Sequence, residues 1–195
     1  ANSSTPVAAC IGSEPKTLDP SLDIALDAGT YINCAFVGLP SYDKNSKIVP
    51  GVAEKWDVSE DGTVYTFHIR SDAKWSDGQQ VTAKDFVYSW KRSIDPKTAA
   101  DYAYYLYFVK NGEAINGGKA DIDTLGVKAI NDSTLEVTLE APCPFFTEVV
   151  AFPTLVPLRE DIVSANPKQW SLDTKSYIGN GPYKLVSWDH DSKLT

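Results

Sequence analysis

Two histidines, three cysteines and a spaced set of aspartates are the residues here whose types could do chemistry. A base beside a hydroxyl or thiol would point to acyl transfer, and His, Cys and carboxylate at short spacing would point to a metal. His68 lies in VYTFHIR, where it alternates with apolar residues and so falls on the polar face of a strand. His190 sits between Asp189 and Asp191. Neither has a partner at metal or triad spacing, and both read as solvent-facing structural residues. Cys143, between Pro142 and Pro144, lacks the neighbouring base or cation that activates a thiol. Cys10, Cys34 and Cys143 contain no CxxC pair; at most one bridge can form, and they read as small buried side chains. Asp19, Asp23 and Asp27 recur every four residues, but Pro20 argues against a helix that would gather them on one face for a metal. No dinucleotide-binding GxGxxG, phosphate-binding P-loop or GxSxG elbow is present, and GNGPY (Gly179–Tyr183) reads as a structural turn. The expectation is a protein with no catalytic group, cofactor or metal.

The totals narrow the class further. The 195 residues are 43% hydrophobic and 23% charged, a globular composition with an aromatic-rich core and no methionine. A net charge of -8 repels phosphate backbones, so nucleic acid is excluded as a partner, and the acidity reads as solubility. No run approaches the ~20 apolar residues that span a bilayer. The opening ANSSTPVAAC has neither a basic nor a long apolar region, so the chain is either cytosolic or processed from a signal-bearing precursor. Asn2-Ser3-Ser4 and Asn131-Asp132-Ser133 match the glycosylation triplet, which is common by chance.

Scaffold elements are more legible than chemistry. VAACIG (Val7–Gly12) reads as a strand. Tyr31, Cys34, Ala35 and Gly38 recur at helical steps, predicting a helix that breaks at Gly38 or Pro40. Asp61-Gly62 predicts a hairpin turn before a strand that buries Tyr65, Phe67 and Ile69. In KWSDGQQVTAKDFVYSWKR, Asp77-Gly78 is a turn, Thr82 an N-cap with Asp85 at N3, and Phe86, Val87 and Trp90 an apolar stripe; Asp95-Pro96 stops the helix. Tyr102, Tyr105, Leu106 and Val109 predict another helix. A second hairpin turns at Asn131–Ser133 with Leu135, Val137 and Leu139 on one face. Prolines 142, 144, 153 and 157 punctuate an irregular crossing, and GNGPY leads into a last strand.

In this order, GSEPKTLDP, PGVAEKWDVSEDGTVYTFHIR, AKWSDGQQVTAKDFVYSWKRSIDPKTA, DTLGVKAINDSTLEVTLEAP and NGPYKLVSW resemble one family. It is that of the extracytoplasmic solute-binding proteins of bacterial ABC transporters, peptide and nickel class, oligopeptide-binding in type. The resemblance implies an α/β fold of periplasmic-binding-protein type II. Residues 1–38 would begin the first lobe, about 39–158 would form an inserted extra α+β domain, and about 159–195 would return to the first lobe. The second lobe would be missing. It implies a peptide ligand held extended by backbone pairing, a membrane permease as partner, a monomeric intact protein, and no catalysis.

Ile24, Ala25 and Leu26, after LDP, match the family's pairing edge; Tyr102 matches an aromatic that reaches the ligand; Ser13 borders the cleft or caps a turn. The implied location is periplasmic or lipoprotein-like at the outer face of the cytoplasmic membrane, although Cys10, inside an apolar run, is a poor lipid anchor. Within the family, nickel chelates or oligosaccharides are the alternative ligands. From another class, a hydrolase using Cys143 or His68 is the remaining alternative.

Overall fold

A computed structural model describes residues 13–195. The strand expected over Val7–Gly12, and Cys10 within it, lie outside the described residues.

The fold centres on a four-stranded antiparallel sheet. β3 (Ala53–Val58) and β4 (Val64–Ile69) form a hairpin that turns at Asp61-Gly62, where Gly62 takes φ +70°. β5 (Val127–Asn131) and β6 (Thr134–Thr138) form the second hairpin, and its turn is pinned by the Ser133 amide donating to Asn131 Oδ1 at 2.9 Å. β6 pairs with β4, so the order is β3-β4-β6-β5. As the two-residue period requires, Tyr65, Phe67, Ile69, Leu135, Val137 and Leu139 are all buried. A two-stranded ribbon of β1 (Pro40–Tyr42) and β2 (Ile48–Pro50) precedes this sheet.

α2 (Ala83–Ile94) packs on β5 and β6. It starts as its sequence dictates: the Thr82 amide donates to Asp85 Oδ2 at 2.7 Å, the return half of a capping box. Phe86, Trp90 and Ile94 are fully buried along one stripe. Polar atoms of the same helix reach the far side of the core. Trp90 Nε1 donates to the Leu155 carbonyl at 2.9 Å, and Ser89 Oγ to that of Val156 at 2.6 Å. The proline-punctuated stretch is thereby held firmly. It contains α4 (Phe146–Val150), a 3-10 turn at Pro153–Leu155 and α5 (Glu160–Ala165).

Three expectations are corrected. α1 (Leu26–Ala35) ends before Gly38. Phe36 turns extended to bury its ring, and the Asn180 side chain then brackets Val37, accepting from its amide at 3.0 Å and donating to its carbonyl at 2.9 Å. Gly181 permits that approach, since a Cβ there would stand 2.6 Å from the Ala35 carbonyl carbon. The Asn-Gly pair of GNGPY is thus the clamp that stops the helix.

Ala103–Phe108 is a 3-10 helix rather than an α-helix. Its buried set is Ala103, Leu106 and Val109, a spacing of three that suits three residues per turn. α3 (Gly112–Asn116) follows, after Asn111 reverses the chain at φ +63°.

The last strand shrinks to a two-residue ribbon, β7 (Trp188–Asp189) with β8 (Lys193–Leu194). The backbone ahead of it is committed elsewhere: the Gly181 amide donates to the Ala35 carbonyl at 2.7 Å and the Tyr183 amide to that of Cys34 at 3.1 Å.

Candidate functional site

The candidate site is a cavity of about 280 Å³ between the loop entering α1 and the segment around Phe152. The loop is fixed from below. Asp19, only 1% exposed, accepts from Arg92 at 2.9 and 2.6 Å through both carboxylate oxygens, from Trp170 Nε1 at 3.2 Å and from the Ser21 amide at 3.0 Å. The Asp19 carbonyl accepts from the Leu22 and Asp23 amides, both at 3.0 Å, which folds the chain sharply after Pro20. Ser21 Oγ lies 2.9 Å from Ser93 Oγ, and Ser93 Oγ donates to the Thr154 carbonyl. One network therefore joins α2, the loop and the opposite wall of the cavity.

Above this anchor the chain is exposed. Asp23 Oδ1 accepts from the Ala25 amide at 2.9 Å, and Ala25 is extended at φ -104°, ψ 136°. Ile24 is 61% and Leu26 92% exposed. Leu26 is the first residue of α1, so its amide has no intrahelical acceptor to reach. The opposite wall is aromatic. Phe152 meets Tyr102 edge-on at 5.0 Å and stacks on Tyr105 at 4.2 Å, with Pro153 and Thr154 completing that side. Asp23 is the one charged residue among the described residues that line the cavity. Burial raises its carboxyl above the ordinary aspartate range; its own amide contacts oppose this, and the nearby charge of Asp27 adds to it.

The structure brings Ile24, Ala25, Leu26 and Tyr102 to one cavity although Tyr102 is remote in sequence. Leu26 belongs to a helix start, and Ala25 spends its amide on Asp23 and its carbonyl on the Gly29 amide, so the expected edge narrows to the backbone of Ile24 and the first helical amide, that of Leu26. Ser13 does not line the cavity; its amide and Oγ donate to Asp27 Oδ2 at 3.2 and 2.9 Å. Phe152, Pro153 and Thr154 escaped the sequence reading because nothing local distinguishes them from other proline-broken loop.

The hydrolase constellation does not assemble. His68 pairs with Asp57 on β3 at 2.7 Å. Cys143 is buried, its carbonyl accepts from Tyr65 at 2.8 Å, and burial pushes its thiol up, away from reactivity. Cys34 and Cys143 are both free, and Cys34 is exposed rather than buried, because helix α1 turns it away from Ala28, Ile32 and Ala35. His190 contacts Glu14 at the surface. Among the described residues no group of three or more His, Cys, Asp or Glu is placed to hold a metal, and no helix is long and apolar enough to cross a membrane.

Comparison with known proteins places this mixed α/β fold. Residues 47–195 match the model of the bacterial extracellular solute-binding proteins, family 5 (middle region), and the chain belongs to that family. It is 44% identical over 182 residues to the dipeptide-binding protein DppE of Bacillus subtilis (strain 168), covering 93% of this chain and 33% of that protein. It is 42% identical over 186 residues to the oligopeptide-binding protein OppA of the same organism, covering 95% and 34%. The crystal structure of the substrate-binding domain of an oligopeptide ABC transporter from Bacillus anthracis str. Ames superposes with a TM-score of 0.90 at 42% identity, covering 94% of this chain and 36% of that one. The chain thus spans about a third of the length of the curated relatives it matches.

Proposed function

We propose that this chain forms one wall of a peptide-binding cleft in the binding component of an ABC transporter. That component captures oligopeptides in extended form outside the cytoplasmic membrane and hands them unaltered to a permease. The observation that carries the reading is the cavity itself: the exposed Ile24–Leu26 segment, where the Leu26 amide has no intrahelical acceptor, lines it together with an aromatic wall of Tyr102 and Phe152. Backbone pairing of this kind gives affinity without reading sequence, at about 1 kcal/mol per bond, and aromatic rings take side chains of many shapes. The printed names of the relatives, dipeptide- and oligopeptide-binding, favour the same ligand class.

In this reading residues 1–38 and about 159–195 belong to a first lobe and about 39–158 to an inserted domain. A second lobe closes over the ligand by a population shift that contacts to both lobes drive. The intact protein is a monomer and not an enzyme. The 195-residue chain on its own supplies one wall and binds peptides only weakly.

Leu26→Pro tests the backbone role in the natural protein carrying this sequence. Proline suits the first helical position and the extended residue before it, so the fold tolerates the change while the amide is lost. Calorimetry with tri- to pentapeptides is expected to show about fivefold weaker binding, the equivalent of one bond. Unchanged affinity across the peptide set overturns the pairing, and no binding by the unaltered protein overturns the peptide reading.

A further inference from the structure

We propose that Asp23 makes the cavity a subsite for a cationic group of the bound peptide. The inference rests on the peptide-binding reading and deepens it. Among the described residues that line the cavity, Asp23 alone carries a charge. It forms no ion pair with any Lys, Arg or His among the described residues, unlike Asp19, Asp57, Asp72, Asp77, Asp123, Asp132 and Asp161. Its Oδ1 is occupied by the Ala25 amide, and its Oδ2 lies beside Gly29, which has no side chain to cover it.

The surroundings suit a cation with an apolar stem. Ile24 and Leu26 offer apolar surface to methylene groups, and Tyr102 and Phe152 add to the lining aromatic rings of the kind that attract positive charge. Partial burial makes the empty carboxylate costly, and a cationic partner removes that cost. A lysine or arginine side chain and the peptide's amino terminus share this chemistry.

The two sources are separated by calorimetry on the natural protein carrying this sequence. One arm moves lysine through each position of trialanine, with norleucine as the uncharged isostere. The other compares free and N-acetylated trialanine. The expected result is about tenfold tighter binding of the cationic member in one arm. Asp23→Asn, which keeps the Oδ1 acceptor for Ala25, is expected to abolish that preference, with the melting temperature unchanged or slightly raised. Asp27→Asn, outside the cavity, should retain most of the preference.

A preference that survives in Asp23→Asn overturns the assignment, as does one lost equally in Asp27→Asn. Peptides that bind with no preference in either arm also overturn it and leave the peptide reading standing. Failure of every peptide to bind the unaltered protein overturns both.

Discussion

Removing the guanidinium of Arg92 should destabilise the protein more than any other single charge deletion around the cavity. The Asp19 side chain is 2% and that of Arg92 13% exposed, and two short charge-assisted bonds join them. Arg92→Ala leaves the carboxylate buried with only the Trp170 indole and the Ser21 amide as donors. Stranding one partner of a buried pair typically costs about 3–5 kcal/mol. For a domain of this size that corresponds to a drop in melting temperature of about 10 °C. Urea unfolding at pH 7 measures the loss. A loss below about 1 kcal/mol refutes the claim that this pair anchors the loop.

Three other outcomes follow from named contacts. Burial holds the Asp85 carboxyl above its usual range, so its charge costs stability at neutral pH and that cost fades on acidification. Asp85→Asn, which keeps the acceptor for the Thr82 amide, should therefore be as stable as the unaltered protein or more so. Asp85→Ala should lose about 1 kcal/mol in urea unfolding at pH 7. Asn180→Ala strips Val37 of a donor and an acceptor and should lower stability by about 2 kcal/mol in thermal unfolding; Asn180→Asp should do no better, because it sets an oxygen against the Val37 carbonyl. Arg159 bonds Asp161 at 2.7 and 2.6 Å and Asp77 at 2.9 Å. The guanidinium holds Asp161 below the carboxylate range, and with the Gln79 amide it outweighs burial at Asp77. Depressed carboxyls contribute stability above their unfolded pKa near 3.9 and lose it as pH falls. The stability gap between the unaltered protein and Arg159→Met should thus narrow below about pH 4, and a constant gap in acid titration argues against the pairing.

The local elements were legible because their signals are local. Asp61-Gly62 and Asn131–Ser133 specify turns by backbone chemistry, the alternation of Tyr65, Phe67 and Ile69 specifies a buried face, and Thr82 with Asp85 specifies a helix start. The ordered motifs also pointed to the family that residues 47–195 match. What no stretch of sequence revealed depends on partners distant along the chain. Asn180 ends α1 by bonding Val37, Arg92 and Trp170 bury Asp19, and Phe152 stands across from Ile24 and Leu26 only because α2 holds the Leu155 and Val156 carbonyls. Propensity and periodicity report each residue's own backbone preference and face. A cavity is a relation between faces, and only the packed core, by fixing where those segments meet, decides that one exists.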